Sequence, residues 1–370
     1  MIFRFLKIFL ITSIAPLVGA IPNYAYVTNY GNNSVTVIDA STNAYITTLS
    51  TPPYTFDQPG FIAISPNGVQ IWVVNNSTMT PTIPILNSTD NSLLTTIQGP
   101  SYMFDEPAIV AFTPDGTRAY VGNENLGANS VTVINTSDFT LNTVLNSPMY
   151  MFDQPGGLAF TPDGSRLFVC NQGGNSITVI DPSNNSLIAV LSGAPYNFDN
   201  PRIITIRPTS NHLYVTNRGN NTITILDTTN NGYVATIPSG APFNLMHPNS
   251  IVFTPDGTLG YIVSRDNNSI VIFDATNNSY ITTLTGSPFD FMGPTDISID
   301  AFGSRAYVGN FMGNSVTVIN IPQNTFSANL STGYNFNMPP YAAFIQNPSP
   351  ITSEKVPACE FLFQTELQSR

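Results

Sequence analysis

Lysine is nearly absent from this chain of 370 residues, occurring only at Lys7 and Lys355. Charged residues of all kinds make up 9% of it, with 22 acidic against 11 basic groups and a formal charge of −11. Nucleic acid requires a basic patch, so this balance speaks against it as a partner. An anionic membrane surface is disfavoured for the same reason. With so few charges, the surface must be covered mainly by Asn, Ser and Thr, as in many extracellular β proteins. Cysteine is scarce as well: Cys170 and Cys359 form no Cys-x-x-Cys and no haem-attachment motif. The two histidines, His212 and His247, are too few and too far apart for a His-rich copper or haem site. There is no Gly-x-Ser-x-Gly elbow and no phosphate loop. Beyond the apolar N-terminus, no stretch shows helical periodicity.

What the chain does contain is a phrase that returns seven times. It reads Tyr26-Val27-Thr28-Asn29, Trp72-Val73-Val74-Asn75, Tyr120-Val121-Gly122-Asn123 and Phe168-Val169-Cys170-Asn171, then Tyr214-Val215-Thr216-Asn217, Tyr261-Ile262-Val263-Ser264 and Tyr307-Val308-Gly309-Asn310. The steps between copies are 46, 48, 48, 46, 47 and 46 residues. A fixed period of this length marks one supersecondary unit copied and stacked. Within the unit from Pro155 to Pro201, Gly157–Phe160 is a short apolar strand closed by the turn Thr161-Pro162-Asp163-Gly164. Arg166–Cys170 is a second strand. Ser176–Ile180 alternates polar and β-branched residues, as a half-buried strand does. Ser186–Leu191 is the fourth. Four short antiparallel strands per unit are the content of a propeller blade.

The N-terminal fragment opens on a second strand (Tyr24–Thr28), and the C-terminal fragment ends on a first strand (339–345). Joined, they complete one blade, so the expected fold is an all-β, seven-bladed propeller. One C-terminal plus three N-terminal strands would close the ring and hide two aggregation-prone edges. Prolines at 59, 107, 155, 201, 248, 294 and 339 open the units. Three residues ahead of each stands Phe56, Phe104, Phe152, Phe198, Leu245, Phe291 or Phe336, which is expected to pack between blades.

Residues 1–20 read as a secretory signal: Arg4 and Lys7, an apolar core from Phe9 to Val18, then the small-residue site Val18-Gly19-Ala20. The apolar stretch is short for a membrane span of ~20 residues. Its removal would take the formal charge from −11 to −13 and leave no transmembrane span. Residues 21–346 form the expected propeller, and 347–370 a linker and short tail. The expected location is periplasmic, extracellular or at the cell surface. An oxidising compartment would permit a Cys170–Cys359 bond, while Cys170 also fits as a small hydrophobe between blades.

The Tyr-Val-Thr-Asn phrase, the following Asn33–Asp39 and the Thr-Pro-Asp-Gly turns at 113–116, 161–164 and 254–257 together resemble the YVTN family of β-propeller repeat proteins. That family includes surface-layer and exported proteins. The resemblance covers residues 24 to 346. It implies the propeller fold and a binding or scaffolding role, and no chemistry.

In a ring of similar blades, function is sought where one blade departs from the rest. Two residues before the connection proline stand Asp57, Asp105, Asp153 and Asp199 in four successive blades, then Met246, Met292 and Asn337. This acidic arc could hold a cation such as Ca²⁺, which takes carboxylate and carbonyl oxygens. Alternatively, each Asp caps its own loop. The opposite arc is basic: Arg202 follows its proline, Arg218 and Arg265 follow second strands, and His247 precedes Pro248. These four could recognise a carboxylate or phosphate, or the arginines could pair with the acidic arc. Arg118, Arg166 and Arg305 share a position on the other face and are expected to be solvated.

The leading expectation is a secreted, non-catalytic propeller that binds a protein or glycan partner on its loop face and requires no cofactor. A purely structural surface-layer component is a further reading. The enzymatic alternative resembles the propeller lactonases, which open cyclic sugar esters. It would use Arg202, Arg218, Arg265 and His247 to hold an acidic sugar and polarise its carbonyl. A Glu–His pair for acid and base is missing at matched loop positions.

Overall fold

The computed structural model describes residues 23–50, 52–127 and 129–344. The expected signal segment, the expected linker and tail, and Cys359 lie outside the described residues. Seven four-stranded antiparallel sheets form a propeller. Blade 1 joins Ala342–Phe344 to Tyr24–Asn29, Ser34–Asp39 and Ala44–Leu49, in that order, which is the one-plus-three closure. Blades 2 to 7 follow in sequence, their first strands opening at Pro59, Pro107, Pro155, Pro201, Pro248 and Pro294. First strands of neighbouring blades touch around the ring, so they are innermost and enclose a central channel of about 590 Å³. Among the described residues no helix is long and apolar enough to cross a membrane.

The repeated phrase is architecture. Its aromatic residue is fully buried in every blade, and its first Val or Ile likewise. The tyrosine hydroxyl donates to an Asn in the next blade, as from Tyr120 to Asn185 (2.6 Å) and from Tyr214 to Asn278 (2.7 Å). Burial raises the pKa of Tyr120 to about 12, so these hydroxyls stay protonated donors. The final Asn ties the second strand to the third: Asn217 Nδ2 donates to Thr222 Oγ1 (3.1 Å) and Thr224 Oγ1 (2.8 Å). Thr224 Oγ1 then donates to Tyr196 O in the blade-joining loop at 3.0 Å. Replacing Asn217 by alanine is expected to cost about 1–3 kcal/mol, because it strips a buried network of a shared donor. The check is a lower midpoint of urea unfolding.

Seven apolar clusters fill the spaces between blades, and each contains one of the residues three ahead of a proline. Cys170 lies in one of them as a small hydrophobe, where burial pushes its thiol well above the usual range. Arg118, Arg166 and Arg305 are not solvated as expected. Arg166 donates to Thr228 O (2.6 Å), Asn231 Oδ1 (2.8 Å) and Thr229 O (2.8 Å) of the next blade. Arg305 likewise staples blade 7 to Ala40 and Asn43, and Arg118 lies against the ring of Tyr120. On this face the carbonyls of the turn between third and fourth strands of one blade face the blade before it, and a guanidinium fork satisfies several at once.

Candidate functional site at the channel mouth

Proline supplies no backbone N–H to a ladder and is tolerated only at strand starts or bulges. Each of the six intact first strands begins with Pro and shifts register just after it. A bulge re-aims the side chain it carries. The residue after the proline is Gly60, Ala108, Gly156, Arg202, Asn249, Thr295 or Pro340. Arg202 is therefore the only charged side chain delivered by this bulge. It reaches from blade 5 to Glu124 of blade 3, with which it forms an ion pair, and to Gln172 Oε1 of blade 4 at 3.1 Å. Gly156 makes room for this, since a Cβ there would collide with Gln172 and come within 3.4 Å of Glu124.

The residues just after the second strands form a ring at the same level. In blade order they are Tyr30, Asn76, Glu124, Gln172, Arg218, Arg265 and Phe311. Tyr30 and Phe311 stand with centroids 6.2 Å apart, an aromatic wall closing the ring beside Arg265. The structure thus brings together three of the four expected basic residues. Burial first, then the neighbouring cations Arg202 and Arg265, lower the pKa of Arg218. Burial works most strongly against the charge of Arg202, but Glu124 and Tyr341 together outweigh it and hold that pKa above its ordinary value. Among the described residues Arg218 and Arg265 form no ion pair. The Nε atoms of Arg202, Arg218 and Arg265 and Nε2 of Gln172 are buried without a hydrogen-bond partner. Unpaired buried donors are costly, so the mouth is electrostatically prepared for an oxygen-rich anion or a polarised carbonyl.

His247 does not join this cluster. Its side chain is 47% exposed and pairs with Asp266 of its own blade. Its position is architectural: the residue before each proline has a left-handed backbone or is Gly, from Gln58 to Met338. Its N–H is clamped by an Asn of the previous blade, here Asn221 Oδ1 at 2.7 Å. Among the described residues the arginines do not pair with the acidic arc as expected: the one arginine in an ion pair is Arg202, and its partner is Glu124, outside the arc. The four aspartates stay on separate blades. Asp57 accepts from Thr80, Asp105 accepts from Asn125 Nδ2 at 2.8 Å, and Asp153 and Asp199 lie against Gly173 and Gly219 of their own loops. No group of three or more metal-ligating side chains occurs among the described residues.

Sequence comparison of loop positions missed the residues one step deeper. Two residues after each proline stand Phe61, Ile109, Gly157, Ile203, Ser250, Asp296 and Tyr341. All but Gly157 line the channel. Four are apolar or Gly, while Ser250, Asp296 and Tyr341 form a polar arc over adjacent blades 6, 7 and 1. Ser250 Oγ donates to Asp296 Oδ1 at 2.7 Å. Tyr341 packs edge-on against Phe61 and lies against Arg202, and burial raises its pKa. The same comparison of equivalent positions, moved by one residue, exposes Asp296 as the departure.

A seven-bladed propeller with a cationic, partly polar mouth is the class that fold and site define. A family model described as "Lactonase, 7-bladed beta-propeller" matches residues 106–242. Among solved structures, the periplasmic gluconolactonase of Pseudomonas aeruginosa is similar at 16% identity and TM-score 0.71, covering 88% of this chain and 99% of that one. A putative 6-phosphogluconolactonase of Bacteroides uniformis is similar at 16% identity and TM-score 0.69, covering 87% and 99%. Hydrazine synthase of Kuenenia stuttgartiensis, at 18% identity and TM-score 0.63 over 78% and 90%, has the fold too. At these identities the structural likeness establishes the fold alone. No curated protein matches the chain. The expectation of a non-catalytic binding or scaffold protein is corrected by the family match: the family model that fits blades 3 to 5 is that of lactonases. The sequence misled because its loudest signal, the repeated phrase, is purely structural.

Proposed function

We propose that this protein is an exported lactonase-like hydrolase, built on YVTN-type repeats, that adds water to a cyclic sugar ester at the channel mouth. The observation that carries this reading is the lactonase family match. Its span, residues 106–242, includes Glu124, Gln172, Arg202 and Arg218. Lactone opening builds negative charge on the carbonyl oxygen, and preorganised donors aimed at that charge are the largest catalytic contribution. Arg218 and Arg265 supply such donors, free of carboxylates. Arg202 is held by Glu124 and Gln172, so its role is to shape the floor of the mouth. The Tyr30–Phe311 wall offers an apolar surface to one face of a sugar ring. Export is supported by the basic-then-apolar N-terminus and by the periplasmic gluconolactonase among the structural neighbours.

The test is hydrolysis of a panel of aldonolactones, phosphorylated and not, followed by proton release or NMR against the buffer rate. Saturable acceleration of at least one lactone is the expected result. Rates equal to buffer for every five- and six-membered sugar lactone would remove the proposal.

A further inference from the structure

We propose that Asp296, with Tyr341 beside it, is the general base that activates water from within the channel. This assignment rests on the lactonase-like reading above. Among the described residues that line the channel, Asp296 is the one carboxylate. Its equivalents in the other blades are Phe61, Ile109, Gly157, Ile203, Ser250 and Tyr341, so the fold itself has no need of an acid there. Even a half-buried carboxylate is costly without a cation against it, and among the described residues no ion pair holds this one.

The groups that face it are few. Ser250 donates from the inner strand of blade 6. From blade 1 come Tyr341, just ahead of the inner strand, and the backbone N–H of Ala342, and its own strand adds the N–H of Ile297 and the hydroxyl of Ser298. Across its own blade it pairs with Gly309, which brings no side chain. Beyond Tyr341 lie Arg202 and Glu124. Burial drives the Asp296 pKa up to about 7, and the hydrogen bonds from Ser250, the backbone and Ser298 offset this only in part. A base is most effective when its pKa lies near the working pH.

The step balances. Water gives one proton to Asp296 as its oxygen bonds to the carbonyl carbon. The resulting oxyanion is held by Arg218 and Arg265. Collapse breaks the ring C–O bond, and the leaving alkoxide takes the proton back from Asp296. One water and one lactone become one hydroxy acid.

The measurement is the pH profile of kcat/KM for the full-length protein and two variants. The base works only when deprotonated, so the wild type should lose activity as pH falls below about 7. Asp296→Asn should lower kcat roughly 100-fold, with sugar-acid product affinity retained. Ser250→Ala removes a bond that favours the charged carboxylate, so the acid limb should move to higher pH. An Asp296→Asn enzyme with wild-type kcat overturns the assignment, while the lactonase reading stands if Arg218→Met is still impaired. Should Asp296→Asn fail to fold, an unmoved limb in Ser250→Ala overturns it. A wild type inactive on every lactone overturns both.

Discussion

Replacing Arg218 and Arg265 together by methionine is expected to lower kcat/KM on a lactone by more than roughly 10³-fold, since one such donor is worth about 10²–10³. The same variant is expected to melt at a higher temperature than the wild type. Both results follow from one arrangement. The two guanidinium groups are half-buried, have no carboxylate against them, and crowd a third cation, Arg202. In the proposed reading that arrangement raises the energy of the empty protein, and an anion or developing oxyanion relieves it. Methionine keeps much of the stem volume and removes the repulsion. Loss of activity with gain of stability is the pattern of a functional site held at the expense of the fold. Arg202→Met should behave differently and melt lower, because it leaves Glu124 without its partner. If the double variant melts lower as well, the arginines are holding the mouth together and the anion-site assignment fails.

A chain ending at Met338 is expected to lose cooperative folding. The deletion removes the inner strand of blade 1, Ala342–Phe344, and with it the hydrogen bonds to Tyr24–Asn29. It also removes Tyr341, Ala342 and Phe344 from the inter-blade clusters. The remaining strand Tyr24–Asn29 would present a bare edge toward the channel, and an unpaired hydrophobic edge templates association with other chains. Size-exclusion chromatography should show aggregates in place of the species formed by the full chain, and circular dichroism a broadened melt. A truncated protein that elutes and melts like the full chain would mean that the seven-blade ring does not depend on its closing strand.

The fold was legible because a propeller is written as repetition. Tyr120, Tyr214 and Tyr307 recur at one place in the unit, each fully buried and each donating to the next blade. The period, the strand content and the one-plus-three closure could all be counted along the chain. The same repetition hid the chemistry. The Asp57 to Asp199 arc is a periodic feature of the loops, and each member serves its own blade. His247 looked like a departure but has its backbone clamped like Gln58, Asn200 and Met338 before their prolines.

What the sequence determined by itself was the architecture: local alternation, proline-opened strands and a fixed period specify a closed ring whatever the loops carry. What only the tertiary structure decided was which departures meet. Arg202 and Glu124 are 78 residues apart and pair because a bulge after Pro201 turns the arginine across the axis. Ser250, Asp296 and Tyr341 come from three different blades and share one arc because inner strands converge on a channel. Distances across the axis depend on the closing of all seven blades, and no local pattern in the chain encodes them.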